Sequence, residues 1–148
     1  MCPAFIHRPD PDLPGWLTWE LSDPTRFNGV LGPLRVREEK DGQVRVRMVP
    51  THAHSNLSDV VHGGVTLSLI DIAMFAGARM FGLIEAGTAV TLDLSVQFMG
   101  AGRIDEPLDV LVELLRETRR LLFLRGLVVQ GEDKVAAFSG TIRKPAAR

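Results

Sequence analysis

The sequence is poor in cysteine and carries no excess of charge of one sign. Its 148 residues include one cysteine, and 17 Lys and Arg residues stand against 18 Asp and Glu residues, for a net charge of −1. A single cysteine cannot close an internal disulfide, so nothing in the composition indicates an oxidising compartment. A nearly neutral chain lacks the electrostatic field that holds nucleic acid or an anionic membrane. Because the first residues also lack the apolar run of a signal peptide, we expect a cytoplasmic protein that binds neither nucleic acid nor membrane.

Long hydrophobic runs are equally scarce. The one candidate for a membrane span covers residues 65–84, and it contains both Asp71 and Arg79. Each of these charges would cost about 2.5–3.5 kcal/mol at the centre of a bilayer. Nearly every face of the corresponding helix is apolar, which is typical of a helix buried on more than one side. The run therefore predicts a buried core helix.

Alternation of apolar and polar residues predicts strands on both sides of this helix. Before it, two alternating segments flank Asp41-Gly42, which is a hairpin signal. After it, residues 90–98 alternate without a break. Three further strands are predicted near residues 107–116, 120–130 and 134–143.

The order of these elements predicts the fold class. Residues 1–28 are rich in proline without a sustained period, so we interpret them as an irregular arm with one short helix. Residues 29–148 then form a single α+β domain, an antiparallel sheet wrapped around one long central helix. One helix covers only one face of such a sheet and leaves its edges open, so we expect at least a dimer.

Asp71 is the most informative polar residue of the predicted helix. Its neighbours along the helix are apolar, and an unpaired carboxylate is costly to bury among them. In one interpretation Asp71 only accepts hydrogen bonds from Ser68, Arg79 or backbone groups. In the other it is a catalytic base or nucleophile. The periodicity alone does not decide between them.

The predicted helix begins at His62-Gly63-Gly64. Glycines at a helix start let a ligand approach bare backbone N–H groups, whose dipole favours a developing oxyanion. The alternative is a simple tight turn. Asp71 lies eight residues beyond Gly63, or about 12 Å along the helix, too far to serve its own helix start. If both groups act on one substrate, they must come from two subunits related by a two-fold axis.

A metal site is a weaker hypothesis. His52, His54 and His62 lie in one polar segment, but their spacing matches none of the strong zinc patterns. The sequence also lacks a nucleophile elbow, a dinucleotide fingerprint and a phosphate-binding P-loop. We therefore expect no metal and no cofactor.

Several motifs at fixed spacing resemble one known family. They are the segment from Asn56 to Gly64, Asp71 nine residues after His62, and the strand from Val90 to Phe98. Together they resemble the hotdog-fold acyl-CoA thioesterases of the phenylacetic-acid-degradation (PaaI) type, over about residues 32–141. The resemblance implies hydrolysis of an acyl-CoA to a free carboxylic acid and CoA, in a homodimer or a tetramer built as a dimer of dimers. CoA would then be part of the substrate.

The resemblance also implies a role for each matching residue. The backbone N–H of Gly64 would hold the thioester carbonyl, with Gly63 and His62 shaping that pocket. Asn56 would place the thioester or the attacking water, and Asp71 of the partner subunit would be the general base or nucleophile.

Three further residues belong to the predicted site. Thr91 falls where the family often has Ser or Thr near the water. Ser68 and Phe75, on the helix with Asp71, are candidates for substrate binding.

Two positions depart from the family pattern. Asp59 stands where a glycine is common, and Asp tolerates the left-handed conformation better than most residues. Met99-Gly100-Ala101 replaces a frequent Leu-Arg-Pro, so that turn is a doubtful coenzyme contact.

The sequence leaves two other functions, the identity of the acyl group and the role of one basic cluster undecided. A hotdog dehydratase acting on acyl thioesters and a non-catalytic acyl-CoA-binding module share the fold. The acyl group is equally open, because Met74, Phe75, Met80 and Phe81 suit a pocket or a core. Basic residues near the ends of the late strands either bind phosphate or solvate turns: Arg116, Arg119, Arg120, Arg143 and Lys144.

Overall fold

The computed structural model describes residues 5–85 and 89–145. One α-helix, α1 (Gly63–Met80), follows five strands and precedes four. The strands before it are β1 (Phe5–Ile6), β2 (Leu17–Thr18), β3 (Glu20–Leu21), β4 (Arg35–Glu38) and β5 (Gln43–Met48). The strands after it are β6 (Val90–Phe98), β7 (Leu108–Glu117), β8 (Leu121–Gln130) and β9 (Asp133–Arg143). Three 3-10 helices span Phe27–Leu31, Lys40–Gly42 and His52–His54.

Seven strands form one antiparallel sheet in the order β2-β4-β5-β7-β8-β9-β6. The predicted hairpin joins β4 to β5, and both Asp41 (φ 63°) and Gly42 (φ 72°) take the left-handed conformation that its tight turn requires. Helix α1 packs against β5, β7, β8 and β9. The predicted α+β architecture of one long helix on an antiparallel sheet is confirmed, and it is the hotdog fold.

Helix α1 is the centre of the hydrophobic core. By length and composition alone it could cross a membrane. In the structure half of its residues are buried, and they include Leu69, Ile70 and Met74 with no exposed surface. Met74 therefore belongs to the core and does not line a pocket. Gly77 allows close packing of α1 on β7, because a Cβ there would lie only 3.0 Å from a methyl group of Val112.

The arm is more regular than the sequence pattern predicts. It contains three two-residue strands, and the short helix begins at Phe27 and ends at Leu31, across the predicted boundary. β2 extends the main sheet, while β1 pairs with β3. Strands of two residues are too short to show a period, which is why the pattern failed here. Trp16 and Trp19 are each 3% exposed, and Trp19 packs in the same core as α1.

Ion pairs hold the arm on the sheet. Arg35 on β4 pairs with Asp10, and its guanidinium also lies 2.8 Å from Oε1 of Glu20 on β3. The backbone N–H of Asp12 and the Arg35 guanidinium both donate to the Asp10 carboxylate, which lowers the pKa of Asp10. The arm is therefore docked at defined positions on the strands that follow it.

Candidate active site

Asp71 lies in the middle of α1 and is half-buried. Its Oδ1 accepts a hydrogen bond of 2.6 Å from the Thr91 hydroxyl on β6. Neither expected side-chain donor supplies this contact: the Ser68 hydroxyl donates to the Gly64 carbonyl within the helix, at 2.7 Å. A charge-assisted bond from a strand hydroxyl fixes the orientation of the carboxylate. The structure thus brings together two of the predicted site residues that lie twenty positions apart.

A cavity of about 280 Å³ opens beside Asp71. Helix α1 contributes Asp71, Ile72, Phe75 and Arg79 to its lining. The other lining residues are Phe5, Trp19, Leu21, Asn28, Ile84, Glu85 and Ala89. Most of these side chains are apolar, so the cavity suits an apolar group placed next to a carboxylate.

The start of α1 forms a second group of site residues. His62 caps the helix, and its Nδ1 accepts a hydrogen bond of 2.8 Å from the backbone N–H of Gly64. A Cβ at Gly64 would lie 3.1 Å from this Nδ1, so any larger residue would press against the imidazole. The Gly64 N–H, predicted to hold a carbonyl oxygen, is thus occupied by the His62 ring. A ligand oxygen can receive it only when that ring turns away.

Asn56 shapes the loop that leads to this helix start. Its Oδ1 accepts the backbone N–H groups of Ser58 at 2.8 Å and of Val60 at 3.3 Å. Asp59 has φ 59°, so it adopts the left-handed conformation. This is the position at which the resemblance leads one to expect a glycine. Asn56 and His62 line one open cleft outside the loop. Asp59 therefore takes a backbone conformation that glycine adopts easily.

His52 and His62 line the same cleft, but His54 does not join them. His54 is buried, with Nδ1 accepting the Thr51 backbone N–H at 2.9 Å and Nε2 lying 2.7 Å from the Val30 carbonyl oxygen. Across residues 5–85 and 89–145, no three His, Cys, Asp or Glu side chains could hold a metal ion together. The role of His54 in this structure is to join the loop to the 3-10 helix at Phe27–Leu31.

The predicted site residues fall into two separate groups. Asp71 and Phe75 line the cavity and Thr91 bonds to Asp71, whereas His62 and Asn56 line the cleft at the start of α1. Because Gly63 and Asp71 are eight residues apart on one helix, about 12 Å separates the two groups along its axis. One subunit therefore does not unite them at a single carbonyl group.

The strand β6 lies at an edge of the seven-stranded sheet, and within residues 5–85 and 89–145 it pairs only with β9. It carries Thr91, and near its end the Phe98 ring would lie 3.6 Å from a Cβ at Gly63. Leu92 and Phe98 expose about half of their surface. The edge that joins the two groups of site residues is thus apolar and open.

Sequence reasoning missed the contribution of the arm to the cavity. Phe5, Trp19, Leu21 and Asn28 all line it. The available signal was the pair of tryptophans in a segment without periodicity, since large aromatic side chains are rarely left in solvent.

Part of the basic cluster does converge. Arg119, Arg120 and Lys144 line one cleft with Glu85, and the Lys144 Nζ lies 2.8 Å from a carboxylate oxygen of Glu117. Arg116 and Arg143 do not line this cleft.

Several known proteins are similar to this chain in sequence and in fold. A protein of Pseudomonas aeruginosa is 28% identical over 116 residues, which cover 78% of this chain and 86% of that protein. Its name is that of a provisional esterase. Human acyl-coenzyme A thioesterase 13 is 24% identical over 107 residues, or 70% of this chain and 72% of that protein. A variant of the phenylacetic acid degradation protein PaaI from Thermus thermophilus superposes with a TM-score of 0.68 and 25% identity. It covers 83% of this chain and 100% of its own.

The model of one family matches residues 59–137, which is more than half of this chain. The match includes the start of α1, Asp71 and Thr91. The resemblance to PaaI-type hotdog proteins is confirmed, and the chain belongs to the thioesterase superfamily.

Proposed function

We propose that this protein hydrolyses an acyl-CoA thioester to a free carboxylic acid and CoA. The carrying observation is the Asp71 carboxylate, oriented by Thr91 at the mouth of an apolar cavity in a superfamily of thioesterases. The name of the human relative, an acyl-coenzyme A thioesterase, supports an acyl-CoA substrate. A thioester has a good leaving group, so one carboxylate and one oxyanion site are sufficient for its hydrolysis.

In this proposal Asp71 activates a water molecule as general base. Asp71 takes a proton while the water oxygen forms a bond to the thioester carbon. The resulting oxyanion accepts hydrogen bonds from the helix start at Gly63 and Gly64, whose N–H groups and dipole favour negative charge. The carbon–sulfur bond then breaks, and the thiolate of CoA leaves with the proton held by Asp71. A covalent route, in which Asp71 attacks the carbonyl carbon directly, uses the same two groups.

We propose that the two groups come from different subunits of a homodimer, which can pair further into a tetramer. The open edge of β6 supports this arrangement, because it carries Thr91 and exposed apolar side chains next to Gly63. An isologous contact along this edge gives two equivalent sites per dimer. In each site, His62 and the thioester oxygen compete for the Gly64 N–H.

The remaining predicted residues have secondary roles in this proposal. Phe75 contacts the acyl group, since it lines the cavity. Asn56 acts by holding the loop before His62, and Ser68 acts near the helix start, where its hydroxyl already bonds to Gly64.

The test is a panel of aryl- and aliphatic-acyl-CoAs assayed with a thiol reagent in buffer containing EDTA. We expect thiol release by the wild type, loss of release in Asp71→Asn, and normal release in Asp41→Asn. Asp41 is the matched control, because it is an exposed aspartate in the β4–β5 hairpin, away from the cavity and from the edge of β6, and asparagine tolerates its left-handed conformation. Loss of activity in EDTA that zinc restores would overturn the metal-free mechanism.

The same panel separates the two other functions. Water loss from a 3-hydroxyacyl-CoA without thiol release would make the protein a hotdog dehydratase. Binding of acyl-CoA without any turnover would make it a binding module in which Asp71 is structural.

A further inference from the structure

The arm supplies one wall of the Asp71 cavity. Phe5, Trp19, Leu21 and Asn28 all line it. None of them lies within residues 59–137, the part that matches the superfamily model. The wall is therefore an addition to the part of the fold on which family membership rests.

Aromatic stacking ties this wall to α1. The ring centroids of Phe5 and Trp19 are 4.9 Å apart. The guanidinium of Arg79, on α1, lies 5.4 Å from the Phe5 ring centroid and 5.6 Å from that of Trp19. A cation over an aromatic face is attracted by the ring quadrupole, so Arg79 holds both rings against the helix.

The wall is also fixed from the side of the sheet. The backbone N–H of Trp19 donates to the Leu34 carbonyl at 3.0 Å, and Phe5 pairs in register with Leu21. Arg35 pairs with both Asp10 and Glu20, on either side of β2. These contacts set the wall before any ligand binds, which reduces the entropy lost on binding.

The size and lining of the cavity define what it holds. Its volume of about 280 Å³ is just below the usual range for ligand pockets, which is about 300 to 1,000 Å³. Its lining is mainly apolar, which suits an acyl chain better than the amide-rich pantetheine arm of CoA. A short or medium acyl group fits this volume, whereas a longer chain has to extend beyond the cavity.

We infer that Phe5 and Trp19 form an acyl-selecting wall, which limits the substrates of this protein to short- and medium-chain acyl thioesters. This inference rests on the proposed function, because it assigns the acyl group to the Asp71 cavity. Phe5 is the residue to vary, since it is only half-buried, whereas Trp19 is part of the core.

The experiment compares kcat/KM for acetyl-, hexanoyl- and decanoyl-CoA in the wild type, Phe5→Ala and Phe5→Trp. We expect Phe5→Ala to raise the decanoyl-to-hexanoyl ratio about tenfold, the low end for a changed fit in an apolar pocket. We expect Phe5→Trp to lower the same ratio, and acetyl-CoA to be hydrolysed equally by all three proteins. Phe27→Ala is the matched control, because Phe27 is an arm phenylalanine that is 61% exposed and does not line the cavity.

The outcomes separate this inference from the proposed function. A folding defect lowers kcat/KM for all three substrates together, and in that case Phe5→Leu and Phe5→Trp decide the question. If the wild type hydrolyses these thioesters and the decanoyl-to-hexanoyl ratio is the same in every folded variant, the inference about the acyl-selecting wall is wrong. The proposed function then stands. If the wild type hydrolyses none of them and no aryl-acyl-CoA either, the proposed function is wrong. Calorimetric dissociation constants for hexanoyl- and decanoyl-CoA then test the wall, and absent binding or an unchanged ratio overturns it.

Discussion

The start and the middle of helix α1 differ in almost every physical property that matters for chemistry. The start is polar and open, with His62 capping the Gly64 N–H beside the cleft. The middle is apolar, with one carboxylate held by Thr91 beside a cavity. In the proposed mechanism the start stabilises an anion and the middle accepts a proton. The comparison teaches that a long helix can separate the two groups that a reaction needs, which is why the proposal takes them from two copies of the chain.

The largest expected effect comes from removing the charge in the middle of the helix. We expect Asp71→Asn to lower kcat for thioester hydrolysis by about 10²–10⁴-fold, the usual contribution of a positioned acid or base. The amide keeps the shape of the side chain and can still accept the Thr91 hydrogen bond, so the fold should persist. Steady-state kinetics with circular dichroism as the folding control tests this. Near-normal kcat in the folded variant would remove Asp71 from the mechanism.

Mixing two inactive variants tests whether the half-sites belong to different subunits. In a mixed dimer of Asp71→Asn and His62→Ala, one site carries both changes and the other carries neither. With equal random exchange, half of the dimers are mixed and each has one intact site, so activity should return to about a quarter of wild type. Mass labelling verifies the exchange. Activity that stays at the level of the separate variants after exchange would place the site within one subunit.

We expect a smaller loss of activity when the hydrogen bond from β6 to Asp71 is removed. Thr91→Val removes the hydroxyl that donates to Asp71, and a hydrogen bond to a charged group contributes about 1.5–3 kcal/mol. We expect kcat to fall about 10- to 150-fold, with KM nearly constant, and Thr91→Ser to restore it. A fall in kcat at constant KM, together with recovery in the serine variant, shows that Thr91 acts by orienting Asp71. A role in general packing would not give this result. Equal loss in Thr91→Val and Thr91→Ser would show that the methyl group, rather than the hydroxyl, is what matters.

The arm gives the smallest effect, and its effect is on stability. Asp10 has a lowered pKa in the folded protein, owing first to the Asp12 backbone N–H and then to Arg35. The unfolded chain therefore binds this proton more readily, so the contribution is complete above the ordinary value of 3.8 and is lost as the pH falls through the folded pKa. We expect a smaller acid-induced loss of unfolding free energy in Asp10→Asn than in the wild type. Urea unfolding at pH 7 and pH 3 measures it, and identical losses would show that this pair is not coupled to folding.

The sequence by itself determined the elements that have a strong period or a strong turn signal. The β4–β5 hairpin follows from alternation around Asp41-Gly42, and the strands after the helix begin and end within two residues of their predicted limits. The core helix was predictable because no polar face runs along it. The importance of Asp71 was predictable for the same reason, since a carboxylate in an apolar helix needs an explanation.

Only the tertiary structure decided which groups meet. The Thr91 hydroxyl reaches Asp71 because β6 pairs with β9 and passes the middle of α1, a contact between residues twenty positions apart. The arm reaches the same cavity through Phe5 and Trp19, although two-residue strands leave no pattern in a sequence. Period and turn chemistry are local properties of a chain, whereas a cavity is enclosed by segments that the folded topology brings together. The fold could therefore be predicted from the sequence, whereas the residues that enclose the site could not.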